Sequence, residues 1–190
     1  MPPTTEAADG HPPDPVLVRR ARLGDKQAFA AIVTRHGAAL YRYASRVLDD
    51  RSATEDVLQD AFLDAWRGLP SFRGDSSLRT WLFTLVRHRV SRQLGRRSAV
   101  PQTGFDDAAA DIADPAPDPA QLSLGRDLRE ALDSALRLLP DRQRSAWLLR
   151  EVEQLSYAEV GLVLGVSPTV VRGLLERARV TLATTLKEWR

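Results

Sequence analysis

Apolar residues recur along this chain at spacings of three and four, in runs broken by Gly, Pro and acidic pairs, and that period predicts helices. A short helix is expected to about Leu23, with Asp14 as its N-cap and Pro15 in the first position. Gly24-Asp25 interrupts it. A longer helix follows with Phe29, Ile32, Val33, Leu40, Tyr41, Ala44 and Val47 on one side, ending near Asp49-Asp50. Ser52 and Glu55 have the form of a capping box, predicting a helix to about Leu69 that buries Leu58, Ala61, Phe62, Ala65 and Trp66. A polar turn with Gly74 and Asp75 leads into a fourth helix, from about Ser77 to Arg96-Arg97. Its buried stripe is Leu78, Trp81, Leu82, Leu85, Val86 and Val90, and its other face carries Thr80, Thr84, Arg87, His88, Ser91 and Arg92. No stretch alternates with period two over a strand's length, so the expected fold is all-α.

The pattern fails between Ser98 and Leu122. There Pro101, Pro115, Pro117 and Pro119 are mixed with Asp106, Asp107, Asp111, Asp114 and Asp118, a composition that opposes compact structure and predicts a flexible linker. Residues 1–13, MPPTTEAADGHPP, read as a disordered tail for the same reason. Two small helical domains are therefore expected, 14–97 and 123–190, joined by an acidic, proline-containing tether.

From about Ser123 the helical period resumes. Leu128, Ala131, Leu132, Ala135, Leu136 and Leu139 line one face before Pro140, and a second helix is expected over Asp141–Glu153. The stretch LSYAEVGLVLGVSPTVVRGLLERAR then gives the most specific local signal. Ser156 and Glu159 form a second capping box, Gly165 supplies a left-handed turn, and Ser167 and Pro168 start another helix. Val171, Leu174, Leu175 and Ala178 are expected to pack inward. Two short helices about such a turn make a helix-turn-helix, whose second helix enters the major groove of DNA.

Charge sharpens this picture. The net charge is only +2, but it is unevenly spread. Residues 16–97 carry 16 Lys and Arg against 8 acids, while residues 98–125 carry 5 acids and no base. One module therefore suits a polyanion, and its tether does not. The chain has no cysteine, which excludes disulfides and thiolate metal sites, and its three histidines (His11, His36, His88) lack ligand spacing. No apolar run approaches ~18 residues and no hydrophobic signal core opens the chain, so a cytoplasmic protein without membrane insertion is expected.

Two helix faces carry candidate chemistry. Asp56, Asp60 and Asp64 repeat every four residues with Gln59 beside them, and like charges at that spacing repel. Such a face is either solvated or a docking surface for a basic protein. Trp81 shares its side of the next helix with His88 and Arg92, seven and eleven residues on. It is either a core Trp beside a solvated basic face or a ring on which an unpaired base stacks while the cations hold phosphates. On the helix-turn-helix, Arg172, Arg177 and Arg179 favour DNA over a plain helical hairpin. No nucleophile–base pair, glycine-rich phosphate loop or metal-spaced cluster supports an enzyme, and no catalytic residue, metal or cofactor is expected.

TEDVLQDAFLDAW followed by SFRGDSSLRTWLFTLVRHRV resembles the second conserved region of the extracytoplasmic-function sigma factors, small promoter-recognising subunits of bacterial RNA polymerase. Leu139, Pro140 and Arg144, then LSYAEVGLVLGVS and RAR, are similar to the fourth region of that family. The resemblance implies that Asp56, Gln59 and Asp60 bind the β′ clamp helices of core polymerase. It implies that Trp81, Arg87, His88 and Arg92 lie along the −10 element and help melt it. Ser167, Thr169, Arg172 and Arg177 would meet the −35 element. It further implies contact with the β subunit, a linker threaded through the polymerase cleft, association with the nucleoid in the holoenzyme, and an anti-sigma partner. The competing reading is an ordinary helix-turn-helix regulator with a sensing or dimerising N-terminal domain, which binds a palindrome unaided.

Overall fold

A computed structural model of the chain describes residues 12–99 and 130–187. Among them no strand occurs, and the helices are α1 (Asp14–Arg22), α2 (Lys26–Leu48), α3 (Arg51–Gly68), α4 (Leu78–Ala99), α5 (described over 130–137), α6 (Asp141–Trp147), α7 (Tyr157–Leu164) and α8 (Pro168–Thr185). A turn of 3₁₀ helix, Leu69–Ser71, ends α3, and a π-helical turn, Leu148–Val152, extends α6. The tail up to residue 11, the tether from residue 100 and the helix start expected near Ser123, with Leu128, lie outside the described residues.

Two expected caps are corrected. Asp14 does not cap α1. Pro13 precedes the first turn, and Asp14 stands one residue inside it. There its carboxylate accepts from Arg35 Nη1 at 2.6 Å and meets Nε2 of the buried His36 at 3.0 Å, so a tertiary contact displaces the local one. Burial would raise the Asp14 carboxyl, but His36 and Arg35 outweigh it and hold it below its usual value. Ser52 does not cap α3 either. Asp50 does, accepting from Ala53 N–H at 2.9 Å, which starts the helix at Arg51 and leaves Glu55 to pair with Arg51. At the other end, α4 runs to Ala99, two residues past the expected stop.

α1 to α4 enclose Ile32, Leu40, Ala44, Ala61, Ala65, Leu82, Val86 and Val90, as the period predicts, together with Leu17 and Leu69. Tyr43 and Phe83 are also fully buried, edge to face with centroids 5.7 Å apart, although neither falls on the expected stripes. They are covered because α6 and α7 pack on the far side of α2 and α4. The expected polar face of α4 is corrected by the same contact: Thr80 is 1% exposed, and its hydroxyl donates to Glu159 Oε1 of α7 at 3.0 Å.

α5 to α8 close round Leu139, Ala146, Leu149, Val160, Val171, Leu175, Ala178 and Leu182. Both ends of the helix-turn-helix form as its sequence dictates. Ser156 Oγ accepts from Glu159 N–H at 3.2 Å while Glu159 accepts from Ser156 N–H at 2.9 Å. Gly165 takes φ 65°, and α7 and α8 meet at 95°. Gly161 is needed because a Cβ there would stand 2.7 Å from the Val166 carbonyl oxygen.

Polar contacts join the two helical groups. Arg144 is 8% exposed and donates Nη1 to Val47 O of α2 at 3.1 Å and Nη2 to Arg137 O at 2.6 Å. Arg137 reaches Asp49, and Arg46 reaches Asp133. Glu153, 3% exposed, receives Arg79 at 2.9 Å and Arg42 at 3.3 Å.

Candidate nucleic-acid interface

α3 turns Leu58, Ala61 and Ala65 inward, which leaves Asp56, Gln59 and Asp60 exposed and Asp64 partly so. Arg89 of α4 neutralises part of this row. Its Nε donates to Asp64 Oδ2 at 2.7 Å and its Nη1 to Asp60 Oδ2 at 2.8 Å. One planar guanidinium thus spans both carboxylates, a geometry that Arg provides and Lys does not. Asp56 remains the exposed acidic end of the row.

A groove of about 450 Å³ runs along α4 beside Arg89, lined by Asp64, Leu85, His88, Arg89, Ser91 and Arg92. His88 and Arg92 are exposed there. Trp81 lies two turns back on the same side and is half buried. Its ring packs on Phe72, centroids 5.0 Å apart, and over Gly68, where a Cβ would come within 3.2 Å of the indole. Arg87 points elsewhere, toward Tyr43, and its Nη1 is buried without a hydrogen-bond partner.

On α8, Ser167 caps the helix by accepting from Val170 N–H at 3.4 Å, and Thr169 and Arg172 are exposed one turn apart. The Arg172 guanidinium lies over the Tyr157 ring, 5.3 Å from its centroid, with Arg150 over the same ring at 4.9 Å. This stacking orients an otherwise flexible cation while leaving its donors open. Arg179, two turns on from Arg172, is held by Glu151 at 2.6 Å. Arg177 faces a different groove, with Leu138, Pro140, Gln143, Glu176 and Val180.

The family model for sigma-70 region 2 matches residues 32–100, and that for sigma-70 region 4 matches residues 129–182. The ECF RNA polymerase sigma-E factor of Escherichia coli strain K12 is 33% identical over 177 residues, covering 87% of this chain and 90% of that protein. The chain belongs to the extracytoplasmic-function sigma factors. The RNA polymerase sigma-H factor of Pseudomonas aeruginosa is likewise 33% identical, over 175 residues. Among solved structures, CnrH in complex with the cytosolic domain of CnrY matches with a TM-score of 0.68 at 30% identity, covering 92% of this chain and 97% of CnrH. The sigma factor RpoE of Bartonella quintana, in complex with the anti-sigma factor NepR, has the same TM-score at 25% identity, covering 85% and 98%.

As a sigma factor the protein directs RNA polymerase to promoters. Of the residues expected along the −10 side, the structure gathers His88 and Arg92 round one groove, sets Trp81 behind them and turns Arg87 to the interior. Ser167, Thr169 and Arg172 share the start of α8, and Arg177 lies further along it with its guanidinium beside Gly173. Sequence reasoning missed Arg89, which sits between the acidic and basic faces. The signal was present, since an Arg on the helix after a row of acids is the natural neutraliser, but pairing residues 25 and 29 positions apart needs the helix packing.

Proposed function

We propose that this sigma factor docks on core polymerase, at the β′ clamp helices, through Asp56, Gln59 and Asp60, and takes the −10 strand along Trp81, His88 and Arg92. α8 reads the −35 element from the major groove with Ser167, Thr169, Arg172 and Arg177, within a unit that also meets the β subunit. The two functional units span 14–97 and 123–190, with 98–122 as the tether. The protein contributes specificity and no catalysis, and acts in the cytoplasm. An anti-sigma factor is proposed as a further partner, because two similar sigma-type folds were solved with such proteins or a cytosolic domain bound.

One observation carries the reading. An exposed acidic face on α3 and a groove with two exposed basic side chains on α4 adjoin along Asp64 and Arg89, so one small unit can hold a protein and a nucleic acid at once. A stand-alone regulator has no use for the acidic half. The test is run-off transcription with core polymerase on a promoter library: specific transcripts that need this chain are expected. Asp56→Arg is expected to abolish co-purification with core while shifting stability by under ~0.5 kcal/mol, as surface changes do. Core binding retained by that variant rejects the α3 face as the docking surface.

A further inference from the structure

Asp60 and Asp64 stand one turn apart, and Arg89 holds both. The two halves of this fork differ. Asp64 takes Nε and Nη2, at 2.7 and 2.6 Å, and its side chain is 32% exposed; Asp60 takes Nη1 alone, at 2.8 Å, and is 54% exposed. An incoming cation therefore reaches the Asp60 half first. The same guanidinium lines the α4 groove beside His88, Ser91 and Arg92.

We infer that Arg89 couples polymerase docking to strand capture: it is held on Asp60 in the free chain, and it is released to a phosphate in the groove when a basic polymerase surface takes Asp60. This rests on the reading of the two faces proposed above. With both carboxylates engaged, Asp60, Asp64 and Arg89 sum to −1 beside the groove, which cancels the Arg92 charge and leaves a phosphate little net attraction. A cation on Asp60 cancels that excess. Asp64 still holds Nε and Nη2, so the side chain stays in place, and the freed Nη1 becomes a charge-assisted donor next to His88 and Arg92. Lys in this position would be a point charge unable to keep one carboxylate while offering a separate donor. Arg89 is thus a positioning residue toward Asp60 in one state and a strand-binding residue in the other.

The experiment is a double-mutant cycle on the full chain without polymerase, reading fluorescence anisotropy of a labelled single-stranded −10 oligonucleotide at several salt concentrations. Asp60→Asn imitates the docked state by removing the Asp60 charge. It is expected to tighten binding by about three-fold or more, with a salt slope steeper by about 0.7, the value for one added phosphate contact on a single strand. Asp60→Asn/Arg89→Gln is expected to bind no more tightly than Arg89→Gln alone. An equal gain in both backgrounds, or none in either, overturns the coupling. Thermal unfolding of all four proteins accompanies the cycle. If Arg89→Gln is unfolded, Arg89→Lys replaces it, and the Asp60→Asn gain is expected to fall by at least half. Failure of the wider reading looks different: His88→Ala and Arg92→Ala would then leave the holoenzyme's affinity for a pre-opened template unchanged. If they weaken it while the cycle is additive, the coupling alone is wrong.

Discussion

Arg79 of α4 grips Glu153 twice, Nη2 on the carboxylate at 2.9 Å and Nη1 on the backbone carbonyl oxygen at 2.7 Å. The two residues are 74 positions apart and belong to different matched regions of the sigma factor. Arg42 adds a third contact to the same carboxylate. Glu153→Ala takes the carboxylate from both guanidinium groups at the seam between the helical groups and leaves Arg79 only the backbone carbonyl. Both guanidinium groups are more than a third exposed and regain water, so a loss of about 1 kcal/mol or less is expected from that contact. Small-angle scattering is expected to show a larger radius of gyration for the variant, and an unchanged radius with an unchanged melting temperature would show that Glu153 does not hold the groups together.

Acid is expected to loosen the same seam. Burial acts to raise the Glu159 carboxyl, but hydrogen bonds from the Ser156 backbone and hydroxyl and from Thr80, with the Arg79 charge, hold it below the usual carboxylate range. A depressed carboxylate adds stability above its unfolded pKa and loses it as pH falls through the folded one. Stability is therefore expected to drop below about pH 4.5, less steeply in Glu159→Gln. Urea unfolding at pH 7 and at pH 4 measures this, and identical pH dependence in variant and wild type would remove Glu159 from the account.

Trp81→Ala takes away a ring supported by Phe72 from below. A base stacked on such a ring is worth about 1–3 kcal/mol. Core binding is expected to persist while open-complex formation falls, with partial recovery on a template mismatched across the −10 region. Permanganate reactivity of unpaired thymines reads the opening. A variant that opens duplex promoter as well as wild type makes Trp81 a packing residue.

Arg172→Ala on α8 is expected to weaken −35 duplex binding by about 1–3 kcal/mol if the guanidinium reads a base edge. A phosphate contact would instead lower affinity uniformly across sequences and reduce the salt slope by about one. Binding titrations on matched and scrambled −35 duplexes separate the two, and no change in either quantity takes the start of α8 out of the groove.

The helix-turn-helix was legible before any coordinates because its instructions are local. Ser156 and Glu159 satisfy each other within one turn, Gly165 alone accepts its dihedral without strain, and Ser167 and Pro168 start a helix wherever they occur. The buried stripes of α2 and α4 were legible for the same reason, since a helical period needs only neighbours three and four apart. Apart from the Ser52 cap, which lost to Asp50 two residues before it, the failures involve partners distant in the chain. Asp14 was drawn from capping to Arg35 and His36, Thr80 was covered by Glu159, and Arg87 turned toward Tyr43 instead of the basic groove. A charged or hydroxyl side chain has several acceptable partners and no period of its own. Which one it takes is set by helix packing, because burial penalises every arrangement that leaves it unpaired. Hence the acidic row on α3 could be seen in the sequence, while the fork by which Arg89 joins it to the α4 groove came only from the packing of α3 on α4.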